Sequence, residues 1–257
     1  MPVGGSPTGT RRDTIPFMRS LLHIFLILLF PAVIAAEPGS VPEILHYDLS
    51  WTGIPVGSAL QSINREGGDI RIRASFTSNS WLSRIHRVDN AIETTLRPAA
   101  GFFPGEVQEF HLRLTEGPLQ RDRRITFDHR RNIARFRDHI TGEEGTAPIE
   151  PGTTDVTTAF YHARVLPLVP GDSFELPVID GKEPYRLTVK VLRRESINTI
   201  FGKTPTIVVE PLIRPEGTFE GKRGVTLWVT DDRRRIPVRI RTKVTVGSVT
   251  ASLVAME

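Results

Sequence analysis

Apolar and polar residues alternate along much of the chain after residue 36. The clearest segments are IRIRASF (70–76), FHLRL (110–114), YRLTVKV (185–191) and IPVRIRTKVTV (236–246). Successive side chains of a strand point to opposite faces, so a period of two predicts antiparallel strands with one buried and one wetter face. The pattern therefore predicts a mainly β fold.

Turn-forming residues separate these segments, because Gly, Asp and Asn tolerate the backbone conformations that reverse a chain. Four such clusters occur, at residues 65–70, 127–132, 178–183 and 245–248. The Pro- and Gly-rich stretch TGEEGTAPIEPGT (141–153) predicts a loop between two β-rich halves. Neither half looks self-sufficient, so we predict a single domain over residues 37–257.

The best helical pattern is TTDVTTAFYHARVLPL (153–168). Thr154 or Asp155 can accept hydrogen bonds from the free N–H groups of its first turn, and Pro167 ends the run. Residues 79–87 predict a second short helix. We therefore expect an antiparallel sheet with one or two short helices.

Residues 1–36 have the pattern of a signal peptide. From Met18, one Arg precedes an apolar run that is short for a membrane span, and small residues follow. We predict translation from Met18 and cleavage after Ala35 or Ala36, with an uncleaved anchor as the alternative. The mature part, residues 37–257, would then carry no stable transmembrane span.

Composition narrows the setting in which the protein works. The chain has no cysteine, which excludes disulfides, thiol catalysis and the lipid-bearing cysteine of a bacterial lipoprotein. After residue 36 it has 30 basic and 28 acidic residues, a net charge of +2. That balance lacks the basic footprint of a nucleic-acid-binding protein. Together with the signal pattern, these features predict the periplasm of a Gram-negative cell.

Residue spacings typical of catalysis or metal binding are missing from the sequence. Six histidines follow residue 36, and no two have the i, i+4 spacing of a zinc protease. No G-x-S-x-G elbow occurs, and neither FGKTP nor GTFEGKR completes a phosphate-binding loop. We therefore predict no catalytic residue, no metal and no cofactor.

Two adjacent carboxylates, Asp231 and Asp232, stand out in LWVTDDRRRIPVRIR (227–241). A glycosidase needs two carboxyl groups that converge on one bond at roughly 5–9 Å from each other. Neighbouring residues of a strand instead point to opposite faces. Because aspartate readily bonds nearby backbone N–H groups, we interpret the pair as a charged turn between two strands.

The sequence resembles the bacterial family called domain of unknown function 3108 in four segments, residues 47–63, 155–189, 204–211 and 224–253. The motifs are D-x5-Y-x2-R and W-x2-D-D…P-V, formed here by Asp155, Tyr161, Arg164, Trp228, Asp231, Asp232, Pro237 and Val238. The resemblance implies an exported protein of a Gram-negative bacterium and supplies no established activity. The structural members of the motifs are expected to be Asp155, Asp231, Asp232 and Pro237.

A strand ending in W-V-x-D, followed by a turn and P-V, is also similar to the lipoprotein-localisation chaperones and the related sigma-regulator sensors. That resemblance implies a curved antiparallel sheet, or half-open β-barrel, around an apolar cavity. The helix near residue 155 would then plug the sheet. A shared fold does not establish a shared function.

We predict a non-enzymatic periplasmic envelope protein that binds a lipid, a lipoprotein acyl chain or another amphipathic ligand. The expected ligand-binding residues are Phe160, Tyr161, Arg164 and Trp228.

Two alternatives remain open. The first is a protein-interaction or envelope-assembly factor that meets an anionic envelope component through Arg239, Arg241 and Lys243. The second is a hydrolase of an envelope polymer, in which folding brings Asp155, Asp232 or a histidine together.

Overall fold

The computed structural model of the protein describes residues 41–212 and 224–257. The predicted signal peptide, its cleavage point and the Met18 start lie outside these ranges. The strands are β1 (Glu43–Trp51), β2 (Ile54–Glu66), β3 (Asp69–Ser78), β4 (Asp89–Ala99), β5 (Phe102–Glu116), β6 (Leu119–Asp128), β7 (Ile133–Asp138), β8 (Glu144–Pro148), β9 (Ser173–Val178), β10 (Tyr185–Thr199), β11 (Gly202–Leu212), β12 (Val225–Thr230), β13 (Pro237–Lys243) and β14 (Ser248–Met256). The helices are α1 (Ser80–Ser83) and α2 (Val156–Arg164).

All these strands join one antiparallel sheet, in the order β8-β7-β6-β5-β4-β3-β2-β1-β14-β13-β12-β11-β10-β9. Strands that follow one another along the chain are neighbours, apart from β8 and β9. The first and last strands, β1 and β14, pair with each other in the middle of the sheet. The edge strands β8 and β9 are not paired, so the sheet is not closed. The predicted mainly β, antiparallel fold is confirmed.

Two contacts connect segments that lie at or next to the open edges β8 and β9. Thr154 forms a parallel bridge with Val178 of β9. Lys182 Nζ, beyond β9, lies 2.6 Å from Glu143 Oε2, just before β8. These contacts join the edges without a hydrogen-bonded ladder between β8 and β9.

Residues 141–153 do not form the loop that was predicted, because they contain the edge strand β8. Its residues pair with β7, with Phe136 directly opposite Gly145. A Cβ atom added at Gly145 would lie only 2.7 Å from Phe136 Cζ, so the aromatic ring covers the glycine backbone. Such cross-strand cover compensates for the poor strand propensity of glycine.

Both predicted helices are present but shorter than their sequence patterns. In α1, the Asn79 side chain accepts a hydrogen bond from Leu82 N at 3.1 Å, and the helix ends after one turn. α2 begins after Asp155 and ends three residues before Pro167. The strand predicted over residues 236–246 ends earlier, at Lys243.

α2 lies between two apolar clusters of the sheet. One cluster, built mainly from β2 to β7, includes Tyr161, and the other, built mainly from β9 to β12, includes Ala159. Val156 and Phe160 pack against both clusters. The helix therefore occupies the space between the two halves of the open sheet.

Gly57, in β2, is closely covered by the neighbouring strand β3. A Cβ atom at this position would lie 2.1 Å from the backbone oxygen of Thr77. We expect Gly57→Ala to lower the free energy of unfolding by about 2 kcal/mol, because the backbones must separate. Urea denaturation measures this loss.

Gly53 provides the control for this prediction. It has a positive φ of 89°, but a Cβ atom there would contact nothing within 4 Å. Gly53→Ala should therefore show only the backbone cost, about 1 kcal/mol. If Gly57→Ala lowered the free energy of unfolding by no more than a few tenths of a kcal/mol, the β3 backbone would be able to shift at Thr77 with little strain.

Candidate functional site

The N-terminus of α2 is held by the fully buried carboxylate of Asp155. Oδ1 accepts hydrogen bonds from the backbone N–H groups of Thr157 and Thr158, at 2.8 and 3.1 Å. Thr158 Oγ1 donates to Oδ2 at 2.5 Å, and Thr94 Oγ1 of β4 donates to Oδ1 at 3.2 Å. The predicted helix cap is thus confirmed, and Thr94 ties it to the sheet.

Burial raises the pKa of the Asp155 carboxyl above its usual value of 3.8. Hydrogen bonds from Thr158, Thr157 and Thr94 favour the charged form and offset only part of this effect. Removal from water disfavours a carboxylate even when donors surround it. Asp155 therefore stabilises the start of α2, although burial of its charged form is itself unfavourable.

The C-terminal end of α2 is held by an ion pair between Arg164 and Glu43 of β1, which we call the Glu43–Arg164 pair. Arg164 Nη1 lies 2.7 Å from Glu43 Oε1, and Arg164 Nη2 lies 2.8 Å from Glu43 Oε2. Both side chains are only 2% exposed. Arg164 Nη2 also donates to the backbone oxygen of Arg234 at 2.9 Å. This bidentate arrangement connects α2, β1 and the turn between β12 and β13.

Burial alone would lower the pKa of Arg164, but the hydrogen bonds and charge of Glu43 outweigh it and raise the pKa. The guanidinium carbon also lies 5.1 Å from the ring centroid of Tyr161, which favours the cation. Burial raises the pKa of the Tyr161 hydroxyl, so the neighbouring phenol stays neutral. Glu43, Arg164 and the neutral Tyr161 therefore carry together one negative and one positive charge, which compensate each other.

Sequence reasoning did not single out Glu43, although a signal was available. Glu43, Leu45 and Tyr47 alternate as buried residues along β1. A carboxylate in line with apolar residues at a period of two indicates a buried charge that needs a partner. Its partner, 121 positions along the chain, could not be identified from spacing.

The predicted turn around Asp231 and Asp232 is confirmed. Asp232 Oδ1 accepts hydrogen bonds from Thr230 Oγ1 at 2.6 Å and from Arg234 N at 3.0 Å. Burial opposes its ionisation, but these bonds, the Arg235 N–H and the Arg234 charge lower its pKa overall. Asp231 instead accepts from Arg194 Nε, at 2.9 Å, and from Arg235 Nη1. Each carboxylate stabilises its own part of the turn.

Pro237 is buried immediately after this turn, at the start of β13. Its backbone oxygen accepts a 2.8 Å hydrogen bond from the hydroxyl of Tyr47, in β1. The family-motif residues around the turn therefore link β1 and β13, which are separated by β14 in the sheet.

An apolar cavity of about 170 Å³ lies beside α2; we call it the α2 cavity. The helix lines it with Val156, Ala159, Phe160, Ala163 and Arg164. The opposite walls come from Leu168 and from apolar side chains of β10, β11, β12 and β13. Arg164 is the one charged residue among the described lining residues, and the Glu43–Arg164 pair already compensates it.

The structure brings two of the four predicted ligand-binding residues to this cavity. Phe160 and Arg164 line it, whereas Tyr161 is fully buried in the cluster on the other side of α2. Consecutive helix residues are about 100° apart, so Phe160 and Tyr161 face different clusters. Tyr161, predicted as a ligand-binding residue, therefore does not line the α2 cavity.

Trp228, also predicted as a ligand-binding residue, does not line the α2 cavity either. Leu227 and Val229 line it, and strand alternation turns the intervening Trp228 to the opposite face. There its Nε1 donates to Glu195 Oε1 at 2.6 Å, and Arg239 and Arg241 lie within 6 Å of the indole ring. Trp228 anchors the basic face that the interaction hypothesis invoked.

Asp155 and Asp232, the carboxylates of the hydrolase hypothesis, are not brought together. Asp155 caps the first turn of α2, whereas the turn that contains Asp232 contacts the last residue, Arg164, through the Arg234 backbone. The Asp155 carboxylate bonds the start of α2 and Thr94, and the Asp232 carboxylate bonds groups of its own turn, so the two are engaged at different places. Residues 41–212 and 224–257 also contain no group of three potential metal ligands.

No helix in the described part of the chain has both the length and the hydropathy to cross a membrane. This finding concerns helices only and is separate from the predicted signal segment.

Solved structures resemble this fold. A β-barrel-like protein of domain of unknown function DUF1849 from Brucella abortus gives a TM-score of 0.53 at 14% identity, covering 84% of this chain and 97% of that chain. A protein of Parabacteroides distasonis that carries the provisional name lipoprotein gives a TM-score of 0.31 at 11% identity, covering 86% and 97%. The first likeness concerns the fold alone, and the second is too weak to support an argument.

Sequence comparison identifies the family more directly. No curated protein matches the chain. Residues 46–254 match the family described as protein of unknown function (DUF3108). This span contains almost the whole sheet, α2, Arg164 and the turn between β12 and β13, so the chain belongs to the DUF3108 family.

Proposed function

We propose that this protein is a non-enzymatic binder of an apolar or amphipathic ligand, such as a lipid acyl chain, in the envelope of a Gram-negative cell. The observation that carries the proposal is the α2 cavity, whose described lining is apolar except for Arg164. Concave apolar sites with few polar groups are the usual form of small-molecule binding sites.

The size of the cavity limits what it can hold. At about 170 Å³, it is comparable to the engineered apolar cavity of about 150 Å³ that stays dry and binds benzene. It therefore fits a short segment of an acyl chain, or a ring, rather than a whole lipid. Each methylene removed from water contributes about 0.8 kcal/mol, so even a short segment supplies useful affinity.

The chemistry of the walls supports binding rather than reaction. Both terminal nitrogens of Arg164 bond the Glu43 carboxylate, which compensates the guanidinium charge, so the cavity has no net positive charge to attract an anion. The other lining residues have no nucleophile and no titratable side chain. We therefore propose that the part of the ligand inside the cavity is neutral and apolar.

The periplasmic location belongs to the same proposal. It is supported by the signal-peptide pattern of residues 1–36 and by the absence of cysteine. Fractionation with an intact-mass measurement would test it, since cleavage after Ala35 or Ala36 predicts two specific masses.

Filling the α2 cavity should displace the ligand. Ala163 faces the cavity from α2 and is half-buried, so Ala163→Phe places a benzene-sized ring in the empty space. We expect native mass spectrometry of the wild-type protein from an envelope fraction to show a bound small molecule. In the variant, occupancy should fall roughly tenfold, equivalent to two buried methylenes.

The matched control is Ala100→Phe, which adds the same ring at an exposed position of the turn between β4 and β5. It should keep the wild-type occupancy. Equal loss in both variants would place the ligand outside the α2 cavity. Ligand-free masses for all three proteins, even after incubation with envelope lipid extract, would contradict the binding proposal itself.

A further inference from the structure

Seven large apolar side chains are exposed on the connections and first strand residues at one end of the sheet. We call this set the apolar rim; it consists of Ile54, Trp81, Ile85, Leu119, Ile140, Val244 and Val246. Ile85 is 79% exposed and Val246 is 68% exposed, so neither is part of the core. Single exposed apolar residues are ordinary, so it is the arrangement of these seven that indicates a binding surface.

The sheet order places the seven on consecutive connections. In an antiparallel sheet, the β7–β8, β5–β6, β3–β4, β1–β2 and β13–β14 connections all fall at the same end. Each connection either carries a member of the apolar rim, as with Ile140 on β7–β8 and Val244 and Val246 on β13–β14, or leads directly into one, Ile54 at the start of β2 and Leu119 at the start of β6. The apolar rim is thus a continuous row of tips across ten neighbouring strands.

Hydrogen bonds between connections fix this end of the sheet. Trp51 Nε1, beside the β1–β2 turn, donates to the backbone oxygen of Val246 at 2.7 Å. Trp81 Nε1 donates to the backbone oxygen of Pro55 at 2.9 Å, which joins α1 to β2. Gly117 N donates to Arg87 O at 2.8 Å, which joins the β5–β6 turn to the segment after α1. The tips are therefore held in place before any partner arrives.

The opposite end of the sheet has a different character in the described structure. The β2–β3 turn contains two glycines, and the β6–β7 and β12–β13 turns contain HRRN (129–132) and DDRRR (231–235). Of the hairpin turns there, the β10–β11 turn alone exposes large apolar side chains, Ile200 and Phe201. The α2–β9 connection there also exposes Val165 and Val169, so among the described residues this end has four large exposed apolar side chains in two separate places, against seven in the row of the apolar rim.

Basic side chains adjoin exposed members of the apolar rim. Arg84 precedes Ile85 and Lys243 precedes Val244; both are exposed, and neither forms an ion pair with any described residue. Acidic side chains also lie at this end: Asp89 and Glu143 pair with Arg87 and Lys182, whereas Glu116 accepts a hydrogen bond from the uncharged Asn90, and the exposed Glu183 has no ion pair with a described residue. The free cations beside Ile85 and Val244 are positioned to meet a negative surface layer where those apolar side chains insert.

We propose that the apolar rim docks this protein on the surface of an anionic lipid bilayer. Separate apolar tips, including a tryptophan, suit the soft interface between headgroups and acyl chains, where aromatic and aliphatic side chains insert to shallow depth. Arg84 and Lys243 contact anionic headgroups and strengthen the attraction to such a surface. Binding is peripheral and reversible.

Docking through the apolar rim also orients the α2 cavity. Pro211 and Val225, which line the cavity, lie at the ends of β11 and β12 nearest the apolar rim. A ligand leaving the bilayer would therefore meet the cavity from the membrane side. The docking itself goes beyond the proposed ligand binding and does not depend on an occupied cavity.

The test compares two double variants in co-sedimentation with lipid vesicles. Ile85→Asp with Val246→Asp places charges on the apolar rim, and Ile200→Asp with Phe201→Asp does the same at the opposite end. The vesicles contain phosphatidylcholine alone or phosphatidylcholine with phosphatidylglycerol. All proteins are purified from cells with the same N-terminus, checked by intact mass, so any N-terminal contribution is common to them.

We expect the wild-type protein to bind the phosphatidylglycerol vesicles more strongly than the neutral ones. The rim variant should lose roughly ten- to a hundredfold in partitioning, as expected for two apolar side chains withheld from the bilayer. The opposite-end variant should keep wild-type binding, and brominated lipids should quench tryptophan fluorescence of the wild-type protein but not after Trp81→Phe. Equal losses in both variants, or no binding to either vesicle, would overturn the proposal.

Ala163→Phe should leave vesicle binding unchanged, which separates failure of docking from failure of the ligand-binding proposal.

Discussion

Replacing Glu43 by Gln should lower the free energy of unfolding by about 3–5 kcal/mol, because Arg164 would remain buried without a counter-charge. The bidentate contact is short, and both side chains are almost fully buried. Glutamine keeps the shape and one acceptor but removes the charge, so the loss reports mainly on electrostatics. Urea denaturation monitored by circular dichroism measures the change.

A surface ion pair of the same length is the control. Arg87 Nη2 lies 2.7 Å from Asp89 Oδ2, but both side chains are exposed. Asp89→Asn should cost no more than about 1 kcal/mol, because water screens such pairs. Similar losses at Glu43 and Asp89 would show that the Glu43–Arg164 pair is not effectively buried in solution.

A double variant separates the charge from the packing. Glu43→Leu with Arg164→Met replaces both charges by apolar groups, and the stability should return to near or above that of the wild-type protein. Because Arg164 also lines the α2 cavity, ligand occupancy in this variant reports whether the arginine positions the ligand. A double variant as unstable as Glu43→Gln would contradict the electrostatic explanation.

Much of the local structure is encoded in patterns that depend on near neighbours. Alternation identified β3, β5, β10 and β13, and the Asp155 cap and the turn at Asp231 and Asp232 follow from side chains bonding nearby backbone groups. These features involve residues a few positions apart, so one sequence was sufficient to predict them. The strand β8 was missed because its five residues include Gly145 and Pro148, whose propensities favour a loop.

The candidate site was harder to predict because it depends on contacts between distant segments. Trp228 belongs to an alternating strand, and the sequence alone does not say which of its two faces meets α2. The pairing of β1 with β14 brings Glu43 close to the β12–β13 turn, and no spacing in the sequence indicates it. The helical face containing Phe160 was predictable, but the shape of the space opposite it depends on four strands.

Contacts at its two ends also hold α2 in position beside the cavity. Asp155 connects the N-terminus to β4, and Arg164 connects the C-terminus to β1 and the Arg234 backbone. The residues between them, including Phe160 and Ala163, form the helical wall of the cavity. The motif residues at the ends of the helix thus hold the helical wall of the α2 cavity in place, and Arg164 is itself part of that wall.

Asp155→Ala should lower the free energy of unfolding by about 3 kcal/mol. The change removes the helix cap and leaves the Thr158 and Thr94 hydroxyls without their buried acceptor. Asp155→Asn should cost far less at neutral pH, because asparagine caps helices about as well as aspartate and carries no charge. Thermal or urea denaturation of the three proteins distinguishes loss of the cap from loss of the charge.

The same pair of proteins gives a pH dependence with a defined sign. Burial raises the pKa of Asp155 in the folded state above 3.8, its usual value, so the folded protein holds this proton more tightly than the unfolded chain. The stability of the wild-type protein relative to Asp155→Asn should therefore be greatest below about pH 3.9 and decrease as the pH rises through the folded-state pKa. Other carboxylates, such as Asp232, weaken both proteins in acid alike, and the difference between the two curves removes their contribution. A difference that instead increases with pH would show that the hydrogen bonds from Thr157 and Thr158 outweigh burial, and that Asp155 is a net stabilising charge.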